Sequence, residues 1–502
     1  MGSGGTAAVI ANGTPYPIPS RMGPSSTADP LPPTAPAPTK EVPTAPTVLA
    51  TPAKEDAALK RRPASELWLV HGKFHDLRPF YKDHPGGEFV LAQSMGSDCT
   101  ALVYSHHLSD APFRTLAKHE CLPSADEPTM RCEYGRDTTI DYSFDPSGFY
   151  LTLRRRVREH FKERGIRHPN QAGFYTLLNL AVSSLVWCAT WAHMCVYPFW
   201  WPVALLNGFL RLRLTGIGHD AIHHNVTPQW PIMNDLLFQV FGAFSAMASS
   251  RWHYEHVVLH HPHTKTDADP DEELPLLRLS ARAPWAHVHY AQVVSQILLG
   301  IFLSYANAIL EFAIFVVENC FLNERQRVRE GKPSRTKPLN ALFSLVVLQC
   351  LPMLTNESYA DAWRSSLFSC GFYGIILLHT FHVSHIVEET SSKPFKKGMD
   401  WGENQINTSA NVKTWFEMGT LDLQIEHHLF PNLSYDNQIS IIPVVKQAAK
   451  EFGLQYFEHQ SLYAAYAAHI DWMNKLGIEQ RTDPALPFGP GGGKEEVKAK
   501  AE

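Results

Sequence analysis

The sequence of 502 residues has few of the features that mark common soluble proteins. It contains eight cysteines, none in a CxxC pair, and several of them lie in apolar runs (Cys188, Cys195, Cys350 and Cys370). This gives neither a disulfide framework nor a zinc-ribbon pattern. The formal net charge is only -5, so the basic excess typical of nucleic-acid binding is missing and no nucleic-acid partner is expected. The sequence also lacks a GxGxxG strand-turn-helix for a dinucleotide.

The two ends of the chain have compositions that do not support a packed core. Residues 1–60 hold 12 of the 37 prolines, and residues 484–502 are rich in Gly, Lys and Glu. Such segments bury too little apolar surface to offset the entropy of ordering, so both are predicted to be disordered. The leader lacks the charged and then apolar stretches of a secretory signal, which predicts a cytosolic N-terminus.

The region between these ends divides into a soluble segment, 62–135, and a more apolar segment, 150–465. Four apolar runs in the second segment are predicted to span a membrane, by length and composition: 173–195, 197–214, 339–355 and 364–387. Four crossings would leave both chain ends on the cytosolic side.

Two features of the apolar segment complicate this topology. The second span is short unless Arg211 and Arg213 extend to the membrane interface. A fifth apolar run, 291–318, carries two glutamates. It is predicted to lie in the interface or to re-enter the membrane, because the basic loop 324–337 should be cytosolic.

Histidine is the residue that the sequence has in excess, with 26 in all. Three clusters lie beside predicted spans: HDAIHH, HVVLHH and QIEHH. On a helix, residues four apart share one face, so the imidazoles of each cluster should point together. Together the clusters could fill the coordination shells of two metals with these seven side chains: His219, His223, His256, His260, His261, His427 and His428.

The pattern of ligands favours iron over zinc. The first cluster lacks the glutamate of HExxH, and seven imidazoles exceed what a closed tetrahedral zinc site needs. A carboxylate di-iron bundle fits poorly, because no glutamate stands three residues before a histidine. Imidazole-rich sites with open positions suit iron and O₂. Asp220 and Glu426 are expected to orient imidazoles, and His224, His253 and His263 have no assigned role.

These boxes resemble the HxxxH, HxxxHH and QxxHH patterns of the membrane-bound histidine-box fatty acyl desaturases. The resemblance runs from about Phe174 to Leu462 and includes the tract EHHLFPNLSYDN. It implies that the seven histidines bind iron. It also implies a further histidine at the cytosolic end of the last span, for which His385 is preferred and His382 is the alternative. Gln424, at the start of the third box, marks the front-end branch and would ligate iron or orient a ligand.

The soluble segment carries a second resemblance. ELWLVHGKFHDLRPFYKDHPGGEFV is similar to the beginning of cytochrome b5, and His84 stands in its HPGG signature. The proline and glycines make a tight turn that lets the backbone approach a flat macrocycle while His84 points at the haem iron. The opposite axial ligand is expected 22 to 24 residues further on, where His107 is preferred and His106 is the alternative.

Together the two resemblances imply an α+β haem domain followed by an all-α membrane domain of four transmembrane helices, with the boxes in a cytosolic cap. The implied activity is O₂-dependent front-end desaturation of a polyunsaturated fatty acyl chain, with the delta-5 or delta-4 type favoured, in polyunsaturated fatty acid biosynthesis. The implied cofactors are haem b and two non-haem irons. The implied electron donor is an NADH-cytochrome b5 reductase.

The ending Lys498–Glu502 resembles a dilysine retrieval signal, which places the protein in the endoplasmic reticulum membrane. A b5-fused sphingolipid long-chain-base desaturase or a lipid hydroxylase would share the same site and is the main alternative. A histidine-rich metal transporter would place its ligands at mid-membrane, and a purely electron-carrying membrane cytochrome would leave the seven box histidines unexplained.

Overall fold

The structure, a computed structural model, describes residues 62–124, 130, 132, 136–139, 141–246, 249–274, 276–320, 343–393 and 395–479. The predicted leader 1–60, the tail 484–502 with its dilysine-like ending and the basic loop 324–337 lie outside the described residues. So do the first four residues of the predicted span 339–355. The described residues belong to a single compact unit.

The N-terminal part, which we call the haem module (62–124), is a small α+β fold. Its antiparallel sheet has the order β1-β2-β3, with β1 Trp68–Val70, β2 Lys73–His75 and β3 Glu120–Cys121. Its helices are α1 Glu88–Ser94, α2 Thr100–His106 and α3 Ala111–Leu116, with 3₁₀ turns at Ala64–Glu66 and Arg78–Asp83. The core packs around Trp68, whose indole Nε1 donates to the carbonyl of Leu91.

Helix α4, Phe149–Glu163, connects the haem module to the rest of the chain. Its buried residues Tyr150, Leu153, Val157 and Phe161 recur every three or four positions, which gives the helix one apolar face. This face joins a core that also contains Ala101 of α2 and residues of the C-terminal helices. The haem module is therefore packed into the same core as the C-terminal part.

The helical part that follows begins with long apolar helices. They are α5 Phe174–Val196, α6 Trp201–Ile222, α7 Pro231–Gly242, α10 Gln292–Cys320 and α12 Tyr359–His382, with the short α11 Leu351–Thr355 after a π-helix at Ser344–Cys350. Among the described residues, two stretches are long and apolar enough to cross a membrane, Phe174–Val196 and His287–Ala313. A shorter apolar helix covers Val346–Thr355.

Helices α10 and α12 are antiparallel neighbours. The amide of Gln296 donates to His382 at 2.9 Å near one end, and the hydroxyls of Tyr305 and Ser366 meet at 2.9 Å further along. Between these points Gly300 and Gly374 let the backbones approach so closely that a Cβ on either glycine would collide with the other helix. Helix α10 runs through 291–318 as one continuous helix beside α12, and the expectation that this segment re-enters or lies in the interface stays a prediction.

The arginine expected at the membrane interface lies inside the bundle. Arg211 of α6 is 2% exposed, and its guanidinium donates to the carbonyl of Phe244 at 2.7 Å and lies 4.6 Å from the centre of the Tyr373 ring. The expectation that Arg211 extends to the interface is therefore wrong. Its charge is stabilised instead by a carbonyl and an aromatic face.

The remaining elements form a cap over one end of the long helices. Short helices carry the second box: α8 Ser249–Trp252, a π-helix at His253–His260 and α9 His261–His263. The later helices are α13 Glu388–Ser391, α14 Trp401–Thr408, α15 Gln424–Leu429, α16 Tyr435–Glu451 and α17 Leu462–Ile478. Two-residue strands pair as β4 Glu273–Leu274 with β5 Leu277–Arg278, and as β6 Asn411–Val412 with β7 Glu458–His459; 3₁₀ turns lie at Pro270–Glu272 and His287–Ala291.

Candidate functional site

Eight histidines from four segments of the chain meet in the cap, and we call them the histidine cluster. None of the eight is more than 9% exposed. Their ring nitrogens form two adjoining groups, and within each group the nitrogens lie within 4.8 Å of one another. The larger group is His219, His223, His256, His261 and His427, and the smaller group is His260, His385 and His428.

The nitrogens of the larger group are spaced as ligands of one metal would be. Nε2 of His256 lies 2.8 Å from Nε2 of His219 and 3.2 Å from Nε2 of His261. If two imidazoles bind one metal at right angles with metal–nitrogen bonds of about 2.1 Å, their bonded nitrogens are separated by about 3 Å. Both ring nitrogens of His223 and of His427 are buried without a hydrogen-bond partner in the part of the chain that the structure describes. A buried polar atom without a partner is costly, so the donor set fits a metal ion.

Burial also keeps the imidazoles in the form that metals bind. In the larger group it lowers the pKa of His223, His256, His261 and His427 well below the usual value, and the neighbouring imidazoles lower it further. Neutral rings keep a free lone pair for coordination, since a metal competes with protons for that pair.

The second box divides between the two groups. Its four-residue spacing predicted that His256 and His260 would share a face. The segment His253–His260 is a π-helix, with hydrogen bonds between residues five apart, and the rings of His256 and His260 do stack, with centres 5.4 Å apart. As a result His256 joins the larger group together with His261, whereas His260 points into the smaller group. The extra residue per turn lets one box serve both groups.

Each ring of the smaller group is held by a partner on its Nδ1. His260 donates to the Asp269 carboxylate at 2.9 Å, His428 donates to the amide oxygen of Gln405 at 3.0 Å, and His385 donates to the backbone carbonyl of Thr408 at 2.9 Å. A proton fixed on Nδ1 leaves the lone pair of Nε2 for a metal. All three rings are thus oriented for coordination through Nε2.

The carboxylates beside His260 change its basicity. Burial alone would lower its pKa, but the charges of Asp269 and Asp271 outweigh burial and raise the pKa to about 9. Asp269 also accepts from the backbone amides of Lys265 and Asp271. Sequence reasoning missed Asp269, although the acidic tract that follows the second box was a signal that could have indicated it.

The two acidic residues expected to orient imidazoles have different roles. Asp220 accepts from the Thr420 hydroxyl at 2.7 Å, and this hydroxyl in turn accepts from Nδ1 of His219 at 3.3 Å. Glu426 accepts instead from Asn411 at 2.7 Å and from the Tyr456 hydroxyl at 2.9 Å. Asp220 therefore orients an imidazole through a threonine, whereas Glu426 anchors helix α15, which carries His427 and His428.

Two further predicted ligands lie near the cluster. Gln424 is buried at the first position of α15, and its amide donates to the carbonyl of Leu421 at 3.4 Å. His382, the alternative to His385, is outside both groups. It accepts from Gln296, which also contacts His469 at 2.8 Å. The structure thus brings His385 to the cluster and places His382 in a separate polar contact.

The two imidazoles expected to bind haem face each other in the haem module. The ring centres of His84 and His107 are 6.3 Å apart. This separation leaves room for an iron between the rings that is bonded at about 2 Å to one edge nitrogen of each. Nδ1 of His84 donates to the carbonyl of Gly87 at 3.2 Å, and Nδ1 of His107 donates to the carbonyl of Val103 at 2.9 Å. A Cβ on Gly86 would lie 3.0 Å from the His84 ring. The pocket therefore fits a haem with two axial histidines.

The histidines without a predicted role, and the alternative haem ligand, lie between the two sites or close to them. The ring of His106 stacks on His223 of the histidine cluster, with centres 6.1 Å apart and planes 28° apart. The ring of His253 lies 5.0 Å from Phe89 of the haem module. Burial, with a further contribution from His84, lowers the pKa of His224 to about 4. His263 is buried and borders a cavity that also contacts the haem module.

A haem module that adjoins a cluster of eight buried imidazoles is the arrangement of a metal-dependent oxidoreductase with its own electron-carrying part. Comparison with known proteins agrees. The model of the fatty acid desaturase family matches residues 198–460, and that of the cytochrome b5-like haem/steroid binding domain matches residues 54–124. The chain belongs to the fatty acid desaturase family. This family is membrane-bound and uses a di-iron centre held by histidine boxes together with O₂, and the cytochrome b5-like domain binds haem.

Several curated proteins are similar to most of the chain. The acyl-lipid (8-3)-desaturase B of Dictyostelium discoideum is 26% identical over 458 residues, which cover 84% of this chain and 93% of that protein. The acyl-lipid (8-3)-desaturase of Mortierella alpina is 26% identical, with 83% and 95% covered. The chloroplastic acyl-lipid (7-3)-desaturase of Chlamydomonas reinhardtii is 29% identical, with 81% and 80% covered. The resemblance to desaturases fused to cytochrome b5 is confirmed.

Proposed function

We propose that the protein is a front-end desaturase, which introduces a cis double bond between an existing double bond and the carboxyl end of a polyunsaturated fatty acyl chain. The observation that carries the proposal is the convergence of eight buried imidazoles beside a haem module. The delta-5 or delta-4 type is favoured. The front-end assignment is supported by Gln424 at the start of the third box and by relatives named as (8-3)- and Delta(5)-desaturases.

The proposed ligands follow the two groups of the cluster. The five histidines of the larger group would hold one iron, and the three of the smaller group would hold the other. His84 and His107 would hold the haem, and Gln424 would ligate iron or orient a ligand. When bound, the di-iron centre supplies the oxidising power that removes hydrogen from unactivated methylenes. The chain's own side chains and burial keep His223, His256, His261 and His427 neutral, fix the orientation of the cluster's rings and exclude water.

The electron donor is inferred to be a separate protein. The sequence has no dinucleotide-binding motif, and the haem module can pass on only electrons that it receives. We propose that an NADH-cytochrome b5 reductase supplies them at the endoplasmic reticulum membrane. Fatty acyl lipid is the proposed substrate.

For the membrane, we propose four crossings by α5, α6, α10 and α12, with both chain ends on the side of the histidine cluster. His219 lies in the last turn of α6, His385 follows α12 and Gln296 lies near the start of α10, so these ends meet at the cap. This set replaces the predicted span 339–355 with α10. It also moves the basic segment 324–337 to the far side, against the positive-inside tendency. Labelling of the variant Arg329→Cys, as a single cysteine in sealed microsomes, tests this topology. Labelling of that cysteine without permeabilisation would contradict the crossing by α10.

Expression in yeast tests the proposed activity. Cells that lack endogenous cytochrome b5 would be fed separately with polyunsaturated acids of eighteen, twenty and twenty-two carbons, and double bonds in the products would be mapped. A new bond on the carboxyl side of an existing one is expected. New bonds in sphingoid bases alone, or hydroxylated products alone, would contradict the proposal and support the alternative lipid enzymes.

Two variants and a control connect the activity to the two metal sites. His84→Ala should abolish desaturation and leave the iron content unchanged, whereas His260→Ala should remove iron and leave the haem spectrum unchanged. His287→Ala is the control, because this histidine is exposed and its ring contacts are with Trp285 and Tyr290. Desaturation retained by either of the first two variants would refute the assigned role.

A further inference from the structure

Among the described residues, the ring pair of His106 and His223 joins the haem module to the histidine cluster. His106 is the chain neighbour of His107, whose ring faces His84 across the haem pocket. On its other side the His106 ring lies over His223, with centres 6.1 Å apart and planes inclined by 28°. This is the separation of an offset aromatic stack. One ring therefore spans the distance from a proposed haem ligand to a proposed iron ligand.

The position of this ring is fixed from both sides of the contact. Within the haem module, Nδ1 of His106 donates to the carbonyl of Leu102 at 3.2 Å and lies 3.0 Å from the Ser105 hydroxyl. From the desaturase side, the amide of Asn432 donates to the backbone carbonyl of His106. Nε2 is buried without a hydrogen-bond partner among the described residues. Hydrogen bonds at the ring edge and at the backbone carbonyl thus fix the position of His106, and the face of its ring lies over His223.

The surrounding contacts keep the two parts together without a gap. Arg154 of α4 donates to the carbonyls of His107 and Ser109 at 2.7 and 2.8 Å, and to the carboxylate of Asp110 at 3.0 Å. Leu102 of α2 packs against the core of the haem module and against the cores that surround both the first and the second box. Helix α2 is therefore a shared element of the two sites.

We propose that His106 is the contact through which electrons pass from the haem module to the histidine cluster. The proposal rests on the proposed function, because it presupposes haem at His84 and His107 and iron at the cluster. Each passage oxidises one ferrous haem to the ferric state and reduces one ferric ion of the cluster. Two passages, with electrons from reduced nicotinamide through a flavoprotein reductase, supply two of the four electrons that reduce one O₂ to water. The two hydrogens removed from the substrate supply the other two electrons and two protons, and two further protons complete two waters.

His106 acts here through His223 and is a positioning residue for the electron path. A side chain that only filled space would be replaceable by any residue of similar volume. A ring contact would survive replacement by another ring and would be lost with an aliphatic or amide side chain. Three variants separate the space-filling role from the ring contact: His106→Phe, His106→Leu and His106→Gln. Of these, only phenylalanine retains an aromatic face that can lie over His223.

The test follows the haem itself and not the product. The full-length holoprotein in lipid nanodiscs would be reduced without oxygen and mixed with O₂ and the fatty acyl substrate that the wild type accepts. Reoxidation would be followed in the haem absorption band by stopped flow. Four other quantities would be measured on the same samples: the haem content, the haem spectrum, the iron content and the rate of haem reduction by NADH and reductase. Protein depleted of iron gives the rate that does not depend on the cluster.

The iron-dependent reoxidation of His106→Leu should be slower than that of the wild type by at least about tenfold, with unchanged haem and iron contents. His106→Phe should stay within about threefold of the wild type. His119→Leu is the matched control, because this histidine lies in the same module and its ring contacts Phe80.

Reoxidation of His106→Leu at the wild-type rate would overturn the proposal, as would an equally slow rate in the leucine and phenylalanine variants. If His106→Leu loses haem or iron, His106→Gln decides by the same measurement. Loss of a metal in both would show that His106 ligates or only supports a site, which also overturns the proposal. A wild type whose reoxidation is independent of iron would instead sink the proposed function.

Discussion

The two metal sites of this chain are built in contrasting ways. In the haem pocket, Nδ1 of each facing imidazole donates to a carbonyl only three or four residues away, at Gly87 and Val103. In the histidine cluster, the partners of Nδ1 come from other segments, such as Gln405 for His428 and Thr420 for His219. The first site is therefore specified by two short stretches of chain, and the second site requires the whole cap to be folded.

The difference explains why one site can be part of a small module and the other cannot. A ligand held by its own turn is oriented as soon as that turn forms. A ligand held by a distant side chain is oriented only when helices far apart in the sequence have packed. The cluster should therefore be sensitive to many substitutions outside its ligands, and the haem pocket to few.

Metal removal should give the largest difference between the two sites. Iron depletion would leave the eight buried imidazoles without the two proposed irons, and a ligand present at a thousandfold excess over its Kd stabilises by about 4 kcal/mol. We expect the apparent unfolding temperature of the helical part to fall markedly on chelation, with the haem spectrum retained. Removal of haem should leave the iron content unchanged. Thermal scans with metal analysis measure both, and an unfolding temperature that does not respond to iron would contradict the comparison.

Substitution of a distant partner should have the next largest effect. Asp269→Asn removes the charge that faces Nδ1 of His260 at 2.9 Å, and loss of such a partner typically weakens metal affinity by about 10- to 100-fold. The haem spectrum should not change. Asp267→Asn, in the same loop and 54% exposed, is the control. Iron competition with a chelator measures the affinity, and equal affinities in the two variants would disprove the role of Asp269.

Substitution at the contact between the two sites should have the third largest effect. Arg154 is 8% exposed and satisfies two carbonyls and a carboxylate, so Arg154→Met should destabilise the packing of the haem module by about 1–3 kcal/mol. Arg158, which pairs with the same aspartate but is 47% exposed, is the matched control and should contribute less than about 1 kcal/mol. Protease cleavage between residues 124 and 141 reports the loosening. Similar cleavage of both variants would show that the buried arginine does not hold the module.

A change within the haem turn should have the smallest effect. Gly86→Ala places a Cβ 3.0 Å from the His84 ring, which forces that ring to shift and costs about 0.5–1.5 kcal/mol. Haem titration should show an affinity a few-fold weaker, while iron affinity stays unchanged. Lys82→Ala, exposed in the preceding turn, is the control. A loss of iron in the glycine variant would break the contrast between the two sites.

Much of this arrangement could be read from short motifs. HPGG around His84 and the three boxes are local patterns, and they predicted a haem domain followed by a helical domain. The preference for His107 over His106 and for His385 over His382 agrees with where the rings point, although the ligand assignments stay predictions. These preferences came from spacing and resemblance, which are properties of sequence.

What could not be predicted depends on packing between distant segments. The π-helix that divides the second box leaves no recognisable pattern in HVVLHH. Its backbone hydrogen bonds depend on the contacts that the histidine rings make in the folded cap. The burial of Arg211 depends on Tyr373 and Phe244, which approach only in the folded bundle. The close approach of α10 to α12 gives no sequence signal either, since the glycine crossing is a property of two helices and not of one.

The shared helix α2 also has a consequence for how the enzyme would respond to its surroundings. Electron carriers that must find each other by diffusion become slower when they are diluted in the membrane or when salt screens their attraction. A carrier packed into the core of its acceptor has no such encounter to make. Internal electron delivery in this protein should therefore be insensitive to protein density and ionic strength. Only the encounter with the proposed reductase should depend on protein density and ionic strength, and that encounter would use a face of the haem module that α4 and the cap leave open.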